Sequence, residues 1–235
     1  MRFYNREKEI ERLRDIRERS TRNARMTVVM GRRRIGKTQL LLRATEGQPT
    51  LYFFVARKAE NYLCQDFQQE IKDKLGIPLL GEISSFGKLF GFLMELSKER
   101  AFNLIIDEFQ EFYNINETVF SDLQNLWDSY RQDTRVNLVI CGSVFSLMQK
   151  IFTEHSEPLF GRADNILQLR PFKVEVLKQI MEEYAPGYSN DDLLALYTIT
   201  GGVPKYVELF CDNDRLTVEK MYRFVFSEMS PFLDE

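Results

Sequence analysis

An α/β fold is predicted: a mainly parallel sheet of five strands between helices over residues 1–171, followed by a small helical lid over 172–235. Three observations predict it. Short β-rich runs alternate with helix-length amphipathic segments. Strand runs such as Thr50–Val55 are mostly apolar without strict alternation, as in strands covered on both faces. After Pro171 the strand signal stops, and only helical patterns follow.

Ile10, Leu13 and Ile16, three apart among charges, predict an amphipathic helix over 7–19 with a narrow buried stripe. Met26–Met30 is the first strand, and beyond a glycine-bounded loop Gln39–Ala44 is a helix. Thr50–Val55 (Thr-Leu-Tyr-Phe-Phe-Val) has the β-branched and aromatic content of a buried strand. Helical patterns occupy about 60–75 and 86–99. Asn103–Asp107 is a third strand, Glu117–Arg131 a helix carrying Leu123, Leu126 and Trp127, and Asn137–Cys141 a fourth strand ending at Gly142-Ser143. The short run Ile166–Leu169, before Arg170-Pro171, is the fifth. The helical segment shows Val174, Leu177, Ile180 and Met181, then Leu193, Leu194, Leu196 and Tyr197, then Val203–Phe210 and Val218–Met229. Right-handed crossovers between parallel strands place a ligand at the strands' carboxyl ends.

The chain has 235 residues, 44% hydrophobic and 29% charged, ordinary values for a globular protein that folds without staples. Cys64, Cys141 and Cys211 are odd in number and widely spaced, which fits neither a disulfide framework nor paired zinc ligands. A reducing cytoplasm is the expected setting. No signal-like apolar core opens the chain and no run of eighteen apolar residues occurs, so secretion and membrane spanning are both disfavoured. The net charge of −3 conceals an imbalance: residues 1–37 hold 13 Lys or Arg against 5 Asp or Glu, hence +8, leaving −11 for the rest. Focused positive potential attracts polyanions, so that end reads either as a solvated helix face beside an anion site or as a surface for nucleic acid or an acidic partner.

Gly31-Arg32-Arg33-Arg34-Ile35-Gly36-Lys37-Thr38 follows the first strand and fits G-x-x-x-x-G-K-[ST], in which backbone N–H groups, a helix N-terminus and a lysine converge on a polyphosphate. Gly31 and Gly36 allow the close approach. Lys37 is expected at the β and γ phosphates, and the Thr38 hydroxyl on Mg²⁺. Arg32, Arg33 and Arg34 occupy the variable positions, either with one reaching phosphate or all in solvent. Asn103-Leu104-Ile105-Ile106-Asp107-Glu108 is a buried strand delivering two carboxylates to the sheet edge, Asp107 for the Mg²⁺ shell and Glu108 for the attacking water. Ser143 is placed either to bond the γ phosphate or the water, or to cap a helix over Phe145–Lys150. Arg162 either supplies charge to the transition state in a neighbouring subunit or is structural. His155, the single histidine, lies in a polar stretch and reads as a surface residue.

With these residues the chain resembles the AAA+/STAND P-loop ATPases, and more narrowly the archaeal-type ATPase family. Phe3-Tyr4-Asn5-Arg6-Glu7-Lys8-Glu9 resembles the family's opening F-x-x-R-E-x-E box, Gly31–Thr38 its G-x-R-R-x-G-K-T loop, and Leu104–Gln110 its hydrophobic-D-E-F-Q segment. Cys141-Gly142-Ser143 is similar to its sensor-1 strand end, Pro158-Leu159-Phe160-Gly161-Arg162 to its P-L-x-G-R segment, and Gly201-Gly202-Val203-Pro204-Lys205-Tyr206 to its G-G-x-P lid motif. One departure is Arg32, where many relatives carry proline, at a position that requires no particular side chain.

The resemblance implies a P-loop sheet in the order 5-1-4-3-2, and ATP or ADP with Mg²⁺ as ligands. It also implies an adenine pocket between the N-terminal box and the lid. The binding residues so implied are Arg6, the loop from Gly31 to Thr38, Gln39 behind it, and Pro204. ATP hydrolysis would drive a switch reported by lid rotation, with Lys37, Glu108, Ser143 and Arg162 as the catalytic set and nucleotide-dependent homo-oligomers as a possible assembly. The family usually continues into a nuclease-like or winged-helix module; the sequence stops at Phe232-Leu233-Asp234-Glu235, so either it is a piece of a longer chain or an effector module or protein partner lies elsewhere. Two alternatives stand beside the hydrolase. One is a nucleotide-bound interaction module without turnover. The other is a DNA-handling ATPase akin to origin-recognition proteins, favoured by the basic N-terminus but lacking an evident helix-turn-helix.

Overall fold

In the computed structural model, which describes residues 1–78, 81–228, 230 and 232, five parallel strands form one sheet. They are β1 (Arg25–Met30), β2 (Thr50–Phe54), β3 (Phe102–Asp107), β4 (Val136–Gly142) and β5 (Asn165–Gln168), in the order β2-β3-β4-β1-β5. This is the 5-1-4-3-2 order the resemblance implied. β3 and β4 are buried along their whole length, and the polar residue each carries near its start is paired, Asn137 Nδ2 donating to Asn103 Oδ1 at 2.9 Å. Edge strand β5 is only partly buried, with Ile166 exposed.

The connecting helices are α1 (Glu7–Ser20), α2 (Lys37–Ala44), α3 (Glu60–Leu75), α4 (Phe86–Glu99), α5 (Phe112–Ile115), α6 (Thr118–Tyr130) and α7 (Phe145–Thr153). α2 begins at Lys37, two residues earlier than its pattern indicates, because the helix starts inside the loop motif. A 3-10 turn over Phe109–Glu111 and the one-turn α5 have no counterpart in the periodicity. Both are too short to show one.

Aromatic rings fill one side of the sheet. Phe53 stacks on Phe67 with ring centroids 4.2 Å apart, Phe86 lies 4.8 Å from Phe112, and Phe109 meets Phe120 edge-on at 5.4 Å. Trp127 is fully buried in the same cluster.

The chain divides into two compact units. The sheet unit is Glu7–Arg33 with Lys37–Leu169; the helical unit is Met1–Arg6, Arg34–Gly36 and Arg170–Glu235. The helical unit holds α8 (Val174–Tyr184), α9 (Asn190–Thr200), α10 (Pro204–Asp212) and α11 (Val218–Val225). Ser189 and Asp192 form a capping box at the start of α9. The helix pattern read up to Met229 stops at Val225, and Met229 lies outside the described residues.

Tyr4, Phe172, Leu177, Ile180, Leu196, Val207, Phe210 and Met221 form the helical unit's own core. Phe172 N donates to Gly202 O at 2.7 Å, and a Cβ on Gly202, at φ +70°, would lie 2.4 Å from Phe172 O. Glycine is required there by that close approach.

Candidate functional site

β4 lies between β1 and β3, with Met30 opposite Gly142 and Ile106 opposite Ile140, so the segments that leave these three strands emerge side by side. They carry the loop from Gly31, the pair Asp107-Glu108, and Ser143.

Lys37 opens α2 and folds back, its Nζ donating to Gly31 O at 3.0 Å and Arg32 O at 3.4 Å. The residue is only 7% exposed. Both partners are neutral carbonyls, so the buried ammonium is hydrogen-bonded, and among the described residues no carboxylate pairs with it.

Thr38 Oγ1 donates to Asp107 Oδ2 at 3.2 Å, which joins the loop to the acidic pair. The Tyr52 hydroxyl on β2 donates to the same oxygen. Asp107 Oδ1 accepts from Glu108 N and from the Cys141 thiol, both at 2.9 Å. Burial, then the bond to Asp107, pushes the Tyr52 hydroxyl above its usual pKa; burial and the charge of Asp107 push the Cys141 thiol well up. Both therefore remain protonated donors at neutral pH.

Glu108 adopts the left-handed conformation, φ 55° and ψ 39°, and the 3-10 turn starts from it. Its Oε2 accepts from Ser143 Oγ at 2.7 Å, Ser143 N at 3.3 Å and Gln110 Nε2 at 2.6 Å. Ser143 does not cap the following helix: the N-cap of α7 is Val144, without a side-chain bond, because the serine hydroxyl is turned to Glu108 instead.

Arg162 Nε and Nη2 bond Asp128, Nη2 at 2.7 Å, and its Nη1 donates to Pro158 O and Phe160 O. The guanidinium is thus occupied within its own unit. Arg32, Arg33 and Gln39 are exposed. His155 is exposed as well, its ring 4.1 Å from that of Phe160.

The remaining loop residues and two other candidates belong to the helical unit. Arg34, at φ 68°, accepts from Lys205 N at 3.4 Å through its carbonyl and sets its guanidinium 5.5 Å from the Tyr206 ring centre. Ile35 is buried, and Gly36 has φ 89°. Arg6 Nη2 donates to Arg170 O at 2.7 Å, with the guanidinium 5.7 Å from the Phe172 ring centre. Pro204 is the first residue of α10.

Tyr52, Cys141 and Gln110 touch the acidic pair without having been singled out as site residues: Cys141 and Gln110 lie inside motif segments, and Tyr52 carries no motif signal. Tyr52 reads as one more aromatic in an apolar strand; only pairing of β2 with β3 brings its hydroxyl to Asp107. Tyr52→Phe is expected to destabilise the protein by about 1–2 kcal/mol, since Asp107 loses a donor. Urea unfolding reads this, and an unchanged midpoint would mean that the phenol is dispensable.

The profile of the ATPase domain predominantly from Archaea matches residues 3–210. The uncharacterized protein MJECL04 of Methanocaldococcus jannaschii is 28% identical over 206 residues, 88% of this chain and 43% of that protein. The chain thus spans less than half the length of that relative.

Among solved structures, the Walker-type ATPase of Pyrococcus abyssi superposes with a TM-score of 0.68 at 22% identity, covering 94% of this chain and 71% of that one. The Orc1 protein of Aeropyrum pernix, solved in complex with DNA, gives 0.61 at 16%, covering 94% and 64%. The STAND protein of Pyrococcus horikoshii with a tetratricopeptide repeat sensor gives 0.56 at 18%, covering 89% and 30%. At these identities the likeness is one of fold. The family match spans most of the chain, which therefore belongs to the ATPase domain family found predominantly in Archaea.

Proposed function

We propose that the chain binds ATP with Mg²⁺ and hydrolyses it, using the cycle as a conformational switch. The observation that carries this reading is the meeting of loop and acidic pair, Thr38 Oγ1 at 3.2 Å from Asp107 Oδ2, beside a buried Lys37 whose ammonium is held by backbone carbonyls.

Lys37 exchanges its two carbonyl partners for phosphate oxygens, for which an ammonium has the stronger attraction. Thr38 and Asp107 offer hard oxygen donors, the set that suits Mg²⁺. Bound Mg²⁺ would supply neutralisation of the charge developing on the transferred phosphoryl group. Glu108 orients the attacking water, and Ser143 turns its hydroxyl from Glu108 toward the γ phosphate. Arg34 accepts from Lys205 N, so a loop that tightens on phosphate pulls on the segment 202–205. Arg162 would have to leave Asp128 to serve a neighbouring subunit, and the reading does not depend on it.

Phosphate release by wild type and Glu108→Gln, across protein concentrations and with or without duplex DNA, tests this. Wild-type turnover that falls at least about 100-fold in Glu108→Gln, with nucleotide affinity retained, is the expected result. Absence of turnover under every condition would replace the hydrolase with a nucleotide-bound interaction module. DNA stimulation that fades as salt rises would point to a DNA-handling ATPase.

A further inference from the structure

Gln110 lies in the 3-10 turn after Glu108, and its side chain is all but inaccessible, at 1% exposure. Its Nε2 donates to Glu108 Oε2 at 2.6 Å, while its Oε1 is buried without a hydrogen-bond partner. A buried amide with one end unsatisfied is costly, and an apolar side chain of equal length would fill the same space without that cost.

The surroundings also yield to it. A Cβ on Gly142, in fully buried β4, would lie 2.2 Å from Gln110 Oε1 and 2.5 Å from Met148 Sδ. Residues two apart do not face each other along a helix, so the left-handed reversal at Glu108 is what brings residue 110 back beside it. A half-satisfied amide, a glycine inside the sheet and a non-glycine residue at positive φ thus converge on a single contact.

We propose that Gln110 is a positioning residue for hydrolysis, fixing Glu108 Oε2 so that Oε1 is presented to the attacking water. The proposal rests on the hydrolytic reading above. Gln110 and Ser143 hold the same carboxylate oxygen, but they differ in what else is asked of them. A serine hydroxyl has one proton and cannot give it to Glu108 and to a γ phosphate at once. When Ser143 turns to the nucleotide, Gln110 keeps the carboxylate in place.

Gln110→Met, nearly equal in volume, removes the amide alone. Expected are a kcat for phosphate release lower by roughly 30-fold, a KM for ATP within about twofold of wild type, and a thermal midpoint equal or higher. In a Glu108→Gln background the same substitution should change the rate no further, because the group it positions is gone; a merely structural role would slow both backgrounds alike.

An unchanged kcat with an active wild type overturns this inference alone, as does an equal loss in both backgrounds. An inert wild type overturns the hydrolytic reading and this inference with it. Should Gln110→Met not fold, the side-chain amide proton resonances of Gln110 in wild type and in Glu108→Gln decide. A downfield proton that shifts when the carboxylate is replaced supports the contact, and one indifferent to it overturns the proposal.

Discussion

Lys37→Met is expected to abolish nucleotide-dependent behaviour while leaving the unliganded protein as stable as wild type or more so. The ammonium is buried against two carbonyls with no carboxylate paired to it among the described residues, so its burial costs free energy that those two bonds offset only in part. Replacing it with an unbranched apolar side chain removes that cost along with the phosphate partner. ATP affinity and turnover should each fall by about 100-fold or more.

Thermal unfolding with and without Mg-ATP reads both effects at once. At ligand concentrations of about 100 times Kd, wild type gains about 2.7 kcal/mol from binding, and the variant should gain almost none. A variant that is less stable than wild type without nucleotide, yet still shifted by it, would show Lys37 to be a structural residue.

Phe53→Ala should have the largest effect on folding, a loss of about 3–5 kcal/mol. Phe53 is fully buried on β2 and stacks on Phe67 of α3 at 4.2 Å, with the planes 9° from parallel. Truncation leaves a cavity under a helix that cannot follow the missing ring inward. Strand alternation separates this defect from the chemistry, because neighbouring Tyr52 points to the opposite face, where it meets Asp107. Urea unfolding should therefore show a marked loss of stability, while the fraction still folded retains its nucleotide affinity. A loss of affinity in the folded fraction would mean that the two faces of β2 are coupled.

The sheet was legible because its central strands are buried on both faces, so that runs such as Leu104-Ile105-Ile106 stand out from the amphipathic helices around them; edge strand β2, whose sequence suits burial on both faces, instead leaves Phe54 exposed because no further strand covers that edge. The order of those strands came from the resemblance, since local pattern carries no information on which run pairs with which. The meeting of the loop with the acidic pair was foreseeable because the pattern that pairs them fixes residue types in two contiguous stretches.

What escaped depends on contacts between distant segments. The bond from Tyr52 to Asp107 crosses two strands, and the pairing of Arg162 with Asp128 joins a loop to α6. Residues 1–6 cluster with helices from the other end of the chain. Ser143 shows the limit most plainly. A serine before a helix satisfies the rule for a cap, and only the left-handed turn at Glu108, more than thirty positions earlier, supplies the competing acceptor.

β1 is flanked by strands that come much later in the chain: Arg25 sits beside Asn137, and Thr27 beside Asn165. As the polypeptide leaves the ribosome, this apolar strand waits, unpaired and open to mispairing, until both neighbours have been made. The loop that leaves β1 is consequently translated before either of the strands that seat it. Competence of that loop therefore waits on strand pairings made with segments more than a hundred residues further along the chain.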